Sequence, residues 1–184
     1  VASDPMAIEV HQEAGATLQG SPGNGGPMLY TPEERARRDS SVWTIVQGIL
    51  APVQFAIFLI SLALVLRTLV TGEGAFAADL SILAKTFALY AIMITGSIWE
   101  KVVFGKWLFA RAFFWEDLFS MVVIGLHTAY LVMLFGGMGS VESRLLVALA
   151  GYAAYVINAG QFLLKLRAAR LASQPAAQAI AVPA

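Results

Sequence analysis

The stretch SSVWTIVQGILAPVQFAIFLISLALVL, from Ser40 to Leu66, contains no charged residue. As a helix that rises 1.5 Å per residue it would be about 40 Å long, more than the roughly 30 Å hydrocarbon core of a membrane. Three further apolar segments follow, and Lys85 is their only charged residue. The sequence therefore predicts an all-α integral membrane protein, a four-helix bundle with spans at about 42–66, 80–99, 118–138 and 145–164.

The composition supports a membrane protein and excludes several other classes. Of the 184 residues, 58% are hydrophobic and 13% are charged, whereas a soluble domain is about 25% charged. The 12 basic residues balance the 12 acidic ones, so nucleic-acid binding driven by bulk positive charge is excluded. The absence of cysteine excludes a disulfide scaffold and thiolate chemistry.

The segments outside the spans are short. Residues 1–29 are rich in glycine, proline and alanine, which is typical of a disordered tail. A short surface helix is predicted from Pro32 to about Asp39, because Thr31 can cap it and Glu34 can complete a capping box. The predicted boundaries are a disordered tail at 1–29, a membrane domain at 30–171 and a flexible tail at 172–184.

The distribution of lysine and arginine predicts the orientation in the membrane, because cytoplasmic loops carry the excess of basic residues. Arg67 and Arg144 flank the spans on one side. Nine basic residues flank them on the other side, so both termini are predicted to be cytoplasmic. These nine are Arg35, Arg37, Arg38, Lys101, Lys106, Arg111, Lys165, Arg167 and Arg170.

Polar residues recur at helical spacing in every span, which marks a face turned toward neighbouring helices or a cavity. Interhelical hydrogen bonding, at about 0.6 kcal/mol per pair, would explain any single one of them. In the predicted topology, however, most lie in the cytoplasmic leaflet, and His127 lies about 15 Å deeper along its helix than Asp117. This one-sided distribution favours a pocket that opens to the cytoplasmic side. The candidate binding residues in the spans are Gln47, Gln54, Tyr90, His127, Tyr130, Asn158 and Gln161.

The connection between the second and third spans, Trp99–Asp117, is dense in aromatic and charged residues. Aromatic rings in the headgroup region with basic side chains reaching the phosphates would explain it. Alternatively, it is a lid whose rings stack on a planar ligand while a basic group holds an anionic substituent. On the second interpretation Lys101 and Trp115 are binding residues.

The chemistry available to this chain is limited to proton transfer. The sequence has no metal-ligand spacing, phosphate loop or nucleophile elbow. A carboxyl group partly shielded from water can act as a general acid, so Glu100 or Glu116 is the expected proton donor and Asp117 the expected base. His127 is either a packed histidine or the axial ligand of a metal that the ligand itself carries. Proton transfer without a redox cofactor or nucleophile fits the addition or elimination of water.

Five blocks of sequence resemble one known family. They are RDSSVWT at Arg38–Thr44, QGILAPVQF at Gln47–Phe55, GSIWEK at Gly96–Lys101, FFWED at Phe113–Asp117 and NAGQFLLK at Asn158–Lys165. Together they resemble the 3-vinyl (bacterio)chlorophyllide hydratase family of bacteriochlorophyll biosynthesis in phototrophic bacteria. The similarity covers residues 30–171.

The resemblance implies a multi-pass enzyme of the bacterial inner (cytoplasmic or intracytoplasmic) membrane. It implies addition of water across the C3 vinyl group of a chlorophyllide or bacteriochlorophyllide, which yields a 1-hydroxyethyl group. No cofactor is expected, since the substrate carries its own magnesium, and no metal site is expected in the protein, although His127 is a candidate axial ligand of that magnesium. The expected partners are the pigment substrate, membrane lipids and neighbouring pigment-biosynthesis enzymes, with no nucleic acid.

Roles for the candidate residues follow from this reaction. Gln47, Asn158 and Gln161 would bind water or ring substituents. Lys101, or one of the basic residues Lys106 and Arg111, would pair with the propionate of the unesterified substrate.

Two other functions remain open from the sequence. One is a carrier or assembly factor that binds the same tetrapyrrole without chemistry. The other is a small quinone-binding or transport bundle in which Lys85 and His127 form a proton path. This last function predicts polar residues along the whole span rather than in one leaflet.

Overall fold

A computed structural model describes residues 29–180, and its side chains are described up to residue 169. These residues are all-helical and contain no strand, which confirms the predicted fold class. The helices α2 to α5 are each long and apolar enough to cross a membrane. The elements in chain order are α1 (Pro32–Ser40), α2 (Val42–Thr71), α3 (Ala75–Phe104), α4 (Phe114–Phe135) and α5 (Val141–Ile180).

The short helix α1 begins as its sequence predicts. The Thr31 side chain accepts a hydrogen bond from the Glu34 backbone N–H, and the Glu34 carboxylate accepts one from the Thr31 N–H. This reciprocal pair satisfies two donors that the first helical turn leaves without partners. The predicted disordered tail lies outside the described residues except for Leu29. At the other terminus α5 continues to Ile180, into the predicted flexible tail, and residues 181–184 lie outside the described residues.

Glycines set most of the helix ends, so the helices differ in length from the apolar runs. Gly72 ends α2 and Gly105 ends α3, with φ angles of 73° and 78° that suit only glycine at low cost. Both helices therefore extend past the predicted spans. In contrast, α4 ends at Phe135, before residue 138, because Gly137 turns to a φ of 63°.

The four long helices form an antiparallel ring in which α2 packs against α3 and α5, and α4 packs against α3 and α5. Phe58, Val65 and Ile82 lie in the buried core with Tyr130 and Tyr152. Large apolar side chains on the outside of the ring remain exposed in the isolated chain, as expected for surfaces that face lipid.

The start of α2, the end of α3, the start of α4 and residues 158–165 of α5 meet at one end of the ring, here called the carboxylate end. The helix α1 is fixed to this end, since Arg37 Nε donates to the Val103 carbonyl at 2.8 Å. Tyr30 stacks on Phe104 with ring centroids 5.7 Å apart, and the Arg38 guanidinium lies 4.7 Å from the Tyr30 centroid. The opposite end, where α2 is joined to α3, is called the far end.

Candidate active site

Three carboxyl groups lie together at the carboxylate end. Glu100 lies just before the last turn of α3, and Glu116 and Asp117 are in the first turn of α4. The antiparallel packing of these two helices brings the three residues together, and they are 5%, 7% and 7% exposed. A carboxyl group this buried must be paired or hydrogen-bonded. The sequence expected these residues to carry the chemistry, and the structure places them in one cluster.

The connection between α3 and α4 covers this cluster and contributes backbone donors. The Phe109 N–H donates to Asp117 Oδ2 at 2.7 Å, and the next N–H, of Ala110, donates to Glu100 Oε2 at 3.1 Å. Phe109 has a φ of 58°, a left-handed conformation that costs a non-glycine residue about 1–2 kcal/mol. The strained backbone turns two successive N–H groups onto two different carboxyl groups.

Glu100 and Asp117 lie side by side, since they accept hydrogen bonds from two successive backbone N–H groups. Two buried carboxyl groups this close repel each other when both are ionised, so the geometry favours a single proton shared by the pair. Asp117 lies at the N-terminus of α4, where the helix dipole favours negative charge, and Glu100 lies at the C-terminus of α3, where the dipole disfavours it. The helix dipoles therefore favour the proton on Glu100 and the negative charge on Asp117.

Glu116 has a different partner from the other two carboxyl groups. Lys165 of α5 contacts its carboxylate, with Nζ 2.5 Å from Oε2. The same ammonium group donates to the Ala112 carbonyl and lies 5.0 Å from the centroid of the Phe113 ring. Glu116 is thus an ionised carboxylate in an ion pair, which distinguishes it from the proton-sharing pair.

Lys165 was not among the predicted site residues, although the sequence held a signal for it. It follows Asn158 and Gln161 at offsets of seven and four along α5, so it lies on the same helix face. The backbone donors of Phe109 and Ala110 left no such signal, because they depend on the conformation of a connection.

The predicted polar binding residues near the carboxylate end lie between helices. Gln47 Nε2 donates to Thr95 Oγ1 at 2.7 Å, and Asn158 Nδ2 donates to Ser120 Oγ at 2.8 Å. Gln161 is half-buried.

Two predicted binding residues of the lid lie at the surface. Lys101 Nζ donates to the carbonyl of Gly105 at 2.9 Å, and Trp115 is 63% exposed. Lys101 thus binds the C-terminal end of its own helix, and Trp115 faces outward from the start of α4. No contact joins either side chain to a carboxyl group of the cluster in the described residues.

His127 is fully buried in the middle of the ring. Its Nδ1 lies 2.8 Å from the Val123 carbonyl oxygen, which can only accept, so Nδ1 carries the proton and Nε2 presents a lone pair. A Cβ atom built on Gly151 would lie 3.0 Å from the imidazole ring, so α5 packs closely on the ring. Axial ligation of the substrate magnesium by His127 remains a prediction, and it would require α4 and α5 to separate. Among the described residues, no group of three or more His, Cys, Asp or Glu side chains is arranged so that it could hold a metal ion.

The two predicted binding tyrosines lie away from the carboxyl cluster. The Tyr90 hydroxyl lies 2.6 Å from Thr128 Oγ1 at an exposed position between α3 and α4. The Tyr130 hydroxyl donates to Asp79 Oδ1 at 2.5 Å, and Arg144 lies 3.8 Å from the same carboxylate.

The far end therefore has a polar network of its own, which the one-sided pattern of the sequence did not lead us to expect. A cavity of about 240 Å³ also lies there, between the end of α2 and the starts of α3 and α5. None of the predicted site residues lines this cavity.

The cluster at the carboxylate end can act as an acid and as a base. Two carboxyl groups that favour one shared proton lie side by side at the boundary of the membrane-spanning region, and an ion pair fixes the third carboxylate. Two carboxyl groups whose surroundings differ in this way form a common acid–base arrangement in enzymes. This arrangement suits proton transfer to and from a ligand that enters from the same end.

Comparison with known proteins identifies the family. The family model described as 2-vinyl bacteriochlorophyllide hydratase (BCHF) matches residues 30–168. A 2-vinyl bacteriochlorophyllide hydratase of Cereibacter sphaeroides is 67% identical over 143 residues, which cover 78% of this chain and 89% of the relative. A 2-vinyl bacteriochlorophyllide hydratase of Rhodobacter capsulatus is 66% identical over 143 residues, 78% of this chain and 83% of the relative. No solved structure gives a significant match. The chain belongs to the 2-vinyl bacteriochlorophyllide hydratase family.

Proposed function

We propose that this chain is a hydratase that adds water across a vinyl group of a bacteriochlorophyllide and that Glu100 and Asp117 supply the acid and the base. The observation that carries this proposal is the pair of adjacent buried carboxyl groups at the carboxylate end, in a family named for vinyl hydration. The vinyl group numbered 2 in the relatives' names and the C3 vinyl group expected from the sequence are one substituent under two numbering conventions.

The first step is protonation. Glu100 gives its proton to the terminal carbon of the vinyl group, and the electron pair of the double bond forms the new C–H bond. The positive charge that remains on the internal carbon is delocalised into the conjugated macrocycle, so general-acid catalysis of ordinary strength suffices.

The second step is addition of water. The oxygen of a water molecule bonds to the internal carbon and loses a proton to Asp117, which yields the 1-hydroxyethyl group. The proton then returns from Asp117 to Glu100, which lies beside it, and the site is restored. One water molecule is consumed and no oxidant or reductant is needed.

The ion pair of Glu116 and Lys165 has a supporting role in this mechanism. It fixes the first turn of α4 to α5, and it leaves Glu116 without a proton to give. We therefore assign Glu100 rather than Glu116 as the acid.

The remaining features of the proposal concern binding. Lys101, Lys106 and Arg111 are exposed at the same end as the cluster and have the charge to pair with the carboxylate of the substrate. The exposed ring of Trp115 offers an apolar surface to the macrocycle. The substrate brings its own magnesium, so the reaction requires no separate cofactor.

The orientation and location are part of the same proposal. The basic residues that flank the spans favour a bacterial inner membrane, cytoplasmic or intracytoplasmic, with both termini on the cytoplasmic side. The carboxylate end would then face the cytoplasm, from which neighbouring pigment-biosynthesis enzymes could deliver the substrate.

The test replaces the acid and follows the product. Membranes that contain the Glu100→Gln variant are incubated with a vinyl bacteriochlorophyllide in heavy-oxygen water, and the labelled product is quantified by mass. We expect the rate to fall about 100- to 10,000-fold, the usual contribution of a general acid. The control Glu142→Gln changes an exposed glutamate at the far end and should leave the rate unchanged. Undiminished turnover in Glu100→Gln would overturn the assignment, and binding without any mass change in the parent chain would indicate a pigment carrier instead.

A further inference from the structure

Five buried polar atoms in the interior of the ring have no hydrogen-bond partner among the described residues. Lys85 and His127 are 0% exposed and Gln54 is 4% exposed. Burying such a group without a partner costs a few kcal/mol, and more when it is charged. The five atoms are Gln54 Nε2, Lys85 Nζ, His127 Nε2, Asn158 Oδ1 and Gln161 Oε1.

These atoms come from all four long helices and are spread along the axis of the ring. Gln161 and Asn158 are one turn apart on α5, at the carboxylate end. Asn158 is hydrogen-bonded to Ser120 of α4, and His127 follows Ser120 by seven residues, which is about 10 Å deeper along α4.

Lys85 and Gln54 lie at intermediate depths in the ring, between Gln161 and His127. Lys85 Nζ is 3.8 Å from the centroid of the Tyr155 ring and 5.9 Å from that of Phe58. Tyr155 precedes Asn158 on α5 by about one turn, toward the far end, so Lys85 lies deeper than Asn158. Gln54 precedes Phe58 on α2 by one turn, which places it nearer the carboxylate end than Lys85.

The donor and acceptor character of the five atoms identifies the ligand. Gln54 and Lys85 present N–H donors, whereas Asn158, Gln161 and the lone pair of His127 present acceptors. A metal cation would meet the N–H donors of Gln54 and Lys85, and an anion would meet three acceptors. Water donates and accepts, and a buried water molecule usually makes about three hydrogen bonds.

We propose that these five side chains hold a file of internal water molecules that runs from the carboxylate end to His127. The role of the file rests on the proposed function: a hydratase consumes water at a site bounded by lipid, and the file would supply water to the end of the ring where Glu100 and Asp117 lie. The existence of the file does not depend on that function.

The test uses the histidine as a probe, because His11 and His127 are the only histidines of the chain. A His11→Gln chain labelled with ¹⁵N-histidine is reconstituted in lipid nanodiscs, and magnetisation transfer from water to the imidazole nitrogens is measured by solid-state NMR. We expect a neutral imidazole with its proton on Nδ1 and rapid transfer from water to Nε2.

Two variants remove donors from the file and one control does not. Lys85→Met and Gln54→Leu should each slow the transfer about threefold or more while the tautomer stays the same, since a buried water needs two to four polar partners. Thr86→Val changes the fully buried neighbour of Lys85, but the Thr86 hydroxyl is already bonded to the Ile82 carbonyl at 2.8 Å. This control should leave the transfer unchanged.

The outcomes separate the file from the hydratase. Slow transfer in the folded parent chain, or equal transfer in the parent and both donor variants, would overturn the water file. Vinyl hydration is assayed on the same samples: a dry Nε2 with full turnover refutes only the file, and a hydrated Nε2 without turnover refutes only the proposed function.

Discussion

The ion pair between Lys165 and Glu116 leads to a quantitative prediction for the stability of the bundle. At 2.5 Å the attraction between two unit charges is about 7 kcal/mol at an effective dielectric constant of about 20. Desolvation of the buried carboxylate offsets most of this attraction, and the Lys165 side chain keeps 27% of its exposure. Because polar pairs in membrane proteins reach at most about 1.7 kcal/mol in double-mutant cycles, we expect a net coupling of about 1–1.7 kcal/mol.

The perturbation is a double-mutant cycle made of Lys165→Met, Glu116→Gln and the double variant. Reversible unfolding in mixed micelles gives the free energy of unfolding of each chain. The losses in free energy of unfolding of the two single variants should sum to more than the loss of the double variant. The difference is the coupling energy. Additive losses, with a coupling below about 0.3 kcal/mol, would refute the assignment of Glu116 as a charge-paired carboxylate.

Two further predictions concern packing and topology. Gly151→Ala should lower the free energy of unfolding by about 1–3 kcal/mol, because its Cβ would lie 3.0 Å from the His127 ring. The control Gly160→Ala adds a Cβ that would have nothing within 4 Å, so its free energy of unfolding should stay the same. Equal losses in the two variants would contradict the packing of α5 on His127. The chain has no cysteine, so Lys106→Cys and Glu142→Cys each introduce a single exposed thiol. A membrane-impermeant maleimide should label the first only from the cytoplasmic side and the second only from the opposite side, and labelling of both from one side would contradict the topology.

The sequence predicted the fold well because the hydrophobic signal is strong and local. A charge-free stretch such as Ser40–Leu66 has few structures open to it in a membrane other than a helix. The capping box of Thr31 and Glu34 is likewise local, and the structure confirms it. Helix ends were harder to predict, since Gly72 and Gly105 end helices through backbone angles and not through hydropathy.

The candidate site was predicted only in part, because its chemistry depends on contacts between distant residues. Glu100, Glu116 and Asp117 could be grouped from topology, since the end of one span and the start of the next must meet. The sequence could not choose between Glu100 and Glu116 as the acid, because that choice depends on the pairing of Glu116 with Lys165. The sequence also did not predict the hydrogen bond between Tyr130 and Asp79. A polar side chain in a span can bond to a residue at a helix end or to a ligand in the interior, and the sequence does not distinguish the two.

The most direct test of the central claim is the rate of vinyl hydration in Glu100→Gln, Asp117→Asn and the double variant. The labelled product formed in heavy-oxygen water is measured for all three in the same membranes. Residues that share one proton act as a unit, so the double variant should be about as slow as the slower single variant. Rate losses that multiply in the double variant, or a single variant that hydrates as fast as the parent chain, would contradict the account.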